Sequence, residues 1–469
     1  REIRAFVKTP FYRVVSSIAL EGESFEGEWR AVEGSRYFQS PVLYKENGFK
    51  KKEDAQKLIC ELSTQQPLIC TVEKIERKKE NKNPPLLFNL AELQNVCSKL
   101  FKISPDETLS IVQDLYEKKL VTYPRTDARV LSTAVAKEIY KNISGLRNYP
   151  QAGEAAQGAL ELGAYKNIAK TRYTNDKQIT DHYAIIPTGQ GLGALKGLSL
   201  TAQRVYETIV RRFLSIFYPP AVYQKVSLVT KMENESFFSS FKVLLSEGYL
   251  KIAANSFAKK SMAEASGKAS ESEGEGEVSC DEALLAALQK LKKGDILNIN
   301  GLGIKEGETS PPKRYNSGSM ILAMENAGQL IEDEDLRSQI KGSGIGTSAT
   351  RAEILKKLFN IRYLSLNKKT QVITPTLQGE MIYDVVNCSI RQLLNPELTA
   401  SWEKGLTYVA EGSITEQEYM DKLEHFVRIR TKQVEDSNFQ YALRQFFDAA
   451  AVNYRKPERA SRQGGKRSS

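Results

Sequence analysis

Tyr123 and Arg125 stand two positions apart in the stretch VTYPRTDARVL, residues 121–131. Pro124 between them fixes its own φ and biases Tyr123 to an extended conformation. In an extended segment, side chains at i and i+2 share a face, which sets Arg125 alongside Tyr123. A phenol beside a guanidinium suits a phosphodiester. The phenolic oxygen can attack phosphorus while the guanidinium neutralises charge developing on the equatorial oxygens. Taken alone, the same residues also read as a tyrosine packed for its ring and an arginine on an exposed loop.

A second candidate lies in ITDHYAIIPT, residues 179–188, where one of the two histidines of the chain, His182, follows Asp181 and precedes an apolar run ended by Pro187. A histidine so placed can donate a hydrogen bond to phosphate, with the carboxylate biasing its protonation, and it reads equally as an ordinary core or surface histidine. The third stretch is GSGIGTSATRAEIL, residues 342–355. A glycine-rich turn, hydroxyls and then a helix is a way for backbone N–H groups to meet phosphate, and also a common helix cap. It is not GxxxxGK[ST], and no Walker lysine follows, so an ATP site is not indicated.

The elements that must position these residues follow from periodicity. LAELQNVCSKLF has helical spacing of its apolar residues, and SPDETLSIVQDLYEKKL opens with Ser104 as N-cap, Pro105 in the first turn and Glu107 three residues on. That second helix delivers the chain to Tyr123. FYRVVSSIAL, LICTVEKIERKKE, the stretch 221–252 and ILNINGLGIKEGE read as β-structure, KKEDAQKLICEL and LTAQRVYETIVRRFLSIFY as helices. We therefore expect an α+β multidomain chain. Its β-rich domain covers 1–83 and 201–309, interrupted by a helical domain at 84–200 that carries Tyr123. A second helical domain follows at 310–425, then a C-terminal helix and flexible basic tail at 426–469. Residues 262–280, rich in Ser, Gly and Glu, read as a flexible surface insertion.

A chain of 469 residues is too long for one ordinary core, and 41% hydrophobic with 26% charged residues suits a folded protein. No run approaches the roughly 18 to 20 apolar residues that span a bilayer, so no membrane partner is expected. The five cysteines are scattered, odd in number and never arranged as CxxC, which argues against a disulfide framework or a zinc site and fits a reducing compartment. The net charge of +10 points to a polyanionic partner, and residues 454–469 concentrate it, with six Lys/Arg against one Glu.

VTYPRTDARVL, TDHYAIIPT, EGETSPPKRYNSGSMILAMENAG, GIGTSATRAEIL and LNPELTASWEKGLTYVAEG occur in the order found in type IA DNA topoisomerases, and the chain resembles their bacterial topoisomerase III branch over residues 1–425. The resemblance implies a toroid built from a β-rich arch and helical domains, of which 310–425 lines a single-strand groove. It implies that Tyr123 is a nucleophile forming a 5′-phosphotyrosyl bond to one DNA strand, that Arg125 holds the scissile phosphate, and that His182 is the family's active-site histidine. Thr350 matches its DNA-contacting threonine, and Arg351, Lys313 and Arg314 complete the DNA-binding candidates. Strand passage and resealing follow without ATP, because phosphodiester is exchanged for phosphotyrosine and back. Single-stranded DNA is the implied partner, with RNA open, in the bacterial cytoplasm at the nucleoid.

The family binds magnesium through an acidic cluster in its Toprim domain. No DxDxE-like cluster occurs among residues 1–120, and REIRAFVKTPFYRV resembles the segment that follows that domain. We therefore expect this chain to be the downstream part of a longer protein, with Mg2+ held outside it. Two departures stand out: Tyr183 where a second histidine is frequent, and Ser348 where a proline is common. Two other readings remain open, a non-catalytic single-strand-binding module and a one-way phosphodiesterase using the same tyrosine.

Overall fold

The computed structural model describes residues 1–64, 66–257, 277–279, 282–331 and 344–454. The bulk of the Ser/Gly/Glu-rich segment, the basic tail past Tyr454, and Gly342 and Ser343 lie outside them. The chain divides into two compact units, one of residues Arg1–Pro85, Glu161–Ala164 and Leu214–Lys313, the other of Leu86–Leu160, Tyr165–Phe213 and Arg314–Ser469.

The first unit is a sheet closed on itself. Its strands are β1 (Pro10–Leu20), β2 (Glu23–Arg30), β3 (Leu43–Lys45), β4 (Gly48–Phe49), β5 (Ile69–Lys82), β6 (Ala221–Met232), β7 (Glu235–Ser246), β8 (Glu277–Ser279) and β9 (Ile296–Glu308). Antiparallel pairing runs β1–β2–β7–β6–β5–β9 and returns to β1, so these six strands form a ring. Closure removes the unpaired edges that an open sheet would expose. The period-2 pattern of β1 buries Val14, Ser16, Ile18 and Leu20. Ala55, Leu58 and Leu62 from the Lys52–Leu62 helix and Leu284, Leu285 and Leu288 from the Glu282–Lys290 helix join the same core.

One difference from the sequence reading falls here. The stretch taken as an insertion through residue 280 ends in β8, which pairs in parallel with Ser240–Lys242 of β7. β2 pairs with β7 only at Ser236–Phe238, which leaves the following backbone groups open for another strand. That pairing uses main-chain groups alone, so composition gave no signal for it.

Glu235 is fully buried at the start of β7, where its carboxylate accepts from the Trp29 indole N–H (2.7 Å) and from the Arg36 backbone N–H (2.9 Å). A buried carboxylate persists only when hydrogen-bonded, and removing it would orphan both donors. Glu235→Leu should therefore cost about 1–3 kcal/mol and lower the melting transition of this unit by about 3–10 °C. Trp29 fluorescence, isolated by Trp402→Phe, reads that unit; an unshifted transition would show that the carboxylate carries no such load.

In the second unit, Asn89 caps the Leu90–Phe101 helix by accepting from Glu92 N–H, and Ser104 caps the Pro105–Glu117 helix by accepting from Glu107 N–H. The Ser317–Glu325 helix lies against the first of these. Its approach needs a glycine, because a Cβ on Gly318 would fall 2.6 Å from the Asn95 Cα. Beside it the buried Ser98, Ser317 and Gln371 side chains are linked by hydrogen bonds of 3.0 and 2.8 Å. Ala91, Ile321, Leu355 and Ile373 share one apolar cluster, so the stretches before and after the barrel segment pack together. Within the part read as helical stands a short hairpin, β10 (Leu364–Leu366) and β11 (Ile373–Pro375), whose three-residue strands are too brief to show alternation. The Gln440–Ala451 helix packs on Leu377–Ser389, and the Tyr454 hydroxyl bonds the Pro375 carbonyl and the Glu380 carboxylate.

Candidate active site

After the Pro105–Glu117 helix, Lys119 takes a left-handed conformation (φ 60°) and turns the chain into an irregular run that bends at Thr122 and Pro124. That run is laced to residues 182–188. Thr122 N–H donates to the Ile186 carbonyl (3.0 Å), and the Thr122 hydroxyl donates to the Ala184 carbonyl and accepts from Ile186 N–H (3.0 Å each). The Thr126 hydroxyl donates to the His182 carbonyl (2.8 Å), and Thr188 N–H to the Leu120 carbonyl (3.0 Å). Ala184, Ile185 and Ile186 are buried, so the lacing is anchored in the core.

The lacing brings the Tyr123 and His182 rings together, their planes tilted by 43°. Their ring centroids are 4.3 Å apart, and Tyr116 meets Tyr123 edge-on at 5.5 Å. All three line a cleft of about 620 Å³ with Glu117, Lys119 and Tyr183. Tyr123 is half-buried, whereas His182 and Arg125 are exposed. Arg125 forms no ion pair among the described residues, which leaves its guanidinium available. Asp181, which stands at a bend, forms none with His182, against the sequence expectation. Burial pushes the Tyr183 hydroxyl up from its ordinary pKa.

A second cluster sits behind Asp127. Arg351 is only 1% exposed; its Nη1 donates to Asp127 Oδ1 (2.8 Å) and its Nε to the Ile345 carbonyl (3.3 Å). The Asn89 side-chain amide donates to the Asp127 carbonyl (3.1 Å) and to Glu325 Oε1 (2.6 Å). Burial pushes the Glu325 carboxyl up, and the Arg351 charge opposes that shift. Gly344, at φ +62°, lets the turn pass close to the end of the Ser317–Glu325 helix, where a Cβ would meet the Met324 carbonyl oxygen at 2.3 Å. Arg351, expected among the DNA-binding residues, is thus turned inward to Asp127, because a buried guanidinium must be paired.

Thr350 is exposed at the N-cap of the Arg351–Asn360 helix, its hydroxyl accepting from Thr347 N–H (2.9 Å). Lys313 and Arg314 are exposed where the chain passes from the first unit to the second. Magnesium finds no fit, since no group of three or more His, Cys, Asp or Glu able to hold a metal occurs among the described residues. Sequence reasoning gave no role to Asp127, Glu325, Asn89 or Tyr116. The N-x-x-E pattern at Asn89 signals its cap, whereas nothing local marks Tyr116 as a neighbour of Tyr123.

A sequence model described as DNA topoisomerase matches residues 1–421. DNA topoisomerase 3 of Bacillus licheniformis is 33% identical over 76% of this chain and 46% of its own length. DNA topoisomerase 3 of Bacillus subtilis is 30% identical over 93% of this chain and 54% of its own length. The chain thus spans about half the length of the curated relatives it matches. The solved topoisomerase I of Thermotoga maritima superposes with a TM-score of 0.60 at 20% identity, covering 93% of this chain and 60% of that one, so the fold is shared. Matched from end to near end of its two units, with the tyrosine, histidine and GIGT motifs all inside the matched span, the chain belongs to the DNA topoisomerase family, on its type IA branch.

Proposed function

We propose that this chain is the strand-cleaving part of a bacterial type IA DNA topoisomerase and that Tyr123 is its nucleophile. The observation that carries the reading is the Tyr123 phenol opening on a cleft beside the His182 imidazole, ring centroids 4.3 Å apart. In the proposed reaction the Tyr123 oxygen attacks a phosphorus of one strand and loses its proton. The bond from phosphorus to the 3′-oxygen breaks, that oxygen leaves protonated as a hydroxyl, and the 5′-phosphate stays on Tyr123. Reversal reseals the strand. One phosphate ester replaces another, so no nucleotide is hydrolysed.

Arg125 neutralises charge on the equatorial oxygens, and His182 donates a hydrogen bond to one of them. Thr350, Lys313 and Arg314 contact the strand backbone, whereas Arg351 acts from behind by holding Asp127 and the GIGT turn in place. Single-stranded DNA in the bacterial cytoplasm is the proposed substrate, with RNA left open. Passage of a second strand and relaxation of supercoils belong to the whole protein. No residue here is assigned to magnesium, and no step runs through it.

Tyr123→Phe in the full-length protein should abolish the covalent adduct with end-labelled single-stranded DNA while leaving non-covalent binding nearly unchanged. An adduct of normal yield after denaturant quench would sink the assignment. Arg125→Ala should cut adduct yield strongly and Arg125→Lys recover part of it, since lysine lacks the planar fork. His182→Ala should slow single-turnover cleavage by about 10- to 1000-fold, as expected of a lost hydrogen-bond donor.

Arg351→Ala should lower both stability, by about 2–4 kcal/mol, and adduct yield, because Asp127 loses a buried cation. Strand binding should persist, since Arg351 is turned inward. A variant that loses binding while cleaving its bound strand normally would return Arg351 to the DNA-contacting set.

A further inference from the structure

We propose that the cleft between the Pro105–Glu117 and Arg351–Asn360 helices binds a small organic phosphate monoester, a phosphate dianion joined to an apolar group. The inference stands apart from the strand-cleaving reading, since none of the residues that carry that reading lines this cleft. The cleft measures about 400 Å³, within the range of small-molecule pockets, and lies wholly in the second unit. The two helices and the β10–β11 hairpin supply its walls. Its apolar lining consists of Pro105, Ala352 and Leu355, all buried, with Phe359 and Leu366 half-buried beside them. A small apolar group can be covered there.

Two lysines remote in sequence are brought to this lining by one buried amide. Gln371 is 4% exposed, and its Nε2 donates to the Lys102 carbonyl (2.9 Å) and to the Lys368 carbonyl (3.1 Å). Its Oε1 accepts from the Ser317 hydroxyl (2.8 Å), so the amide is fixed and the backbones of the two lysines are tied together. Lys102 and Lys368 are exposed, and their ammonium groups make no hydrogen bond or ion pair among the described residues. A third lysine of the lining, Lys356, is committed to Asp106 at 2.8 Å. Glu107 is the remaining carboxylate and opposes an anion, so two open cations face one open anion. A phosphate monoester carries about −1.5 to −2 at neutral pH and can engage both ammonium groups. A carboxylate or a phosphodiester brings a single charge.

The test titrates phenyl phosphate into the full-length protein, with chelator present, and follows binding by phosphorus NMR. Benzoate in competition and methyl phosphate by direct titration should each bind about 10-fold more weakly, the first lacking the second charge and the other the ring. Lys102→Ala and Lys368→Ala should each weaken phenyl phosphate by roughly 10-fold, the size of one hydrogen bond to a charged group. Glu107→Gln should tighten it by about 2- to 5-fold, as expected for removal of an exposed like charge. All three side chains are exposed, so the variants should melt with the wild type. Inorganic phosphate bound as tightly as phenyl phosphate would mean an adventitious ion only and overturn the site. So would a double Lys102→Ala, Lys368→Ala variant that titrates like the wild type. Displacement by a single-stranded oligonucleotide lacking a terminal phosphate would assign the cleft to the strand path and overturn it too.

Discussion

A guanidinium that is 1% exposed must find its charge partner inside the protein, and Arg351 finds Asp127 at 2.8 Å. That single requirement joins parts of the chain far apart in sequence. Asp127 belongs to the segment of Tyr123, Ile345 to the glycine turn, and Arg351 to the first turn of the following helix. Asn89 adds a fourth strand to the knot by bonding both the Asp127 carbonyl and Glu325. Burial pushes the Glu325 carboxyl up, the Arg351 charge opposes that shift, and the Asp127 carboxylate adds to it. The Arg351–Asp127 pair therefore holds the base of the Tyr123 segment against two helices and a turn.

Holding the base does not by itself aim the phenol, and a different set of bonds does that. Thr122 uses its amide and its hydroxyl together, three bonds to two residues of the opposite strand, which fixes the register of Tyr123 against His182. A one-residue slip would turn every side chain of the segment to the other face. Pro124 is buried and cannot donate, so the ladder skips it and resumes with Thr126. The segment is thus tied down by hydrogen bonds at Thr122 and Thr126, while Arg125 and His182 stay exposed and Tyr123 half-buried.

Much of this was legible in order of residue type. The Ser104 cap marks the helix that leads to Tyr123, and FYRVVSSIAL reads as the β-structure it forms in β1, whereas the extended segment expected from Pro124 bends at Thr122 and Pro124. What periodicity could not carry was contact between residues remote in sequence. The ion pair at Asp127 sits more than two hundred residues from Arg351 in the chain, and a charged residue in a Thr-Arg-Ala run reads as exposed until its burial is seen. The same holds for Asp181, which stands beside His182 in sequence but forms no ion pair with it among the described residues. β8 was hidden for another reason, since its pairing is carried by backbone groups common to every residue.

Tyr183 is the departure that links sequence to chemistry most directly. A histidine at that position would bring a further ionisable group into a cleft that already holds His182, Lys119 and Glu117. A tyrosine there stays neutral, and burial moves its hydroxyl further from ionising. The cleft keeps an aromatic wall and a hydroxyl beside the His182, Lys119 and Glu117 side chains. Tyr183 thus adds a neutral aromatic surface to the cleft lined by Tyr116, Tyr123 and His182.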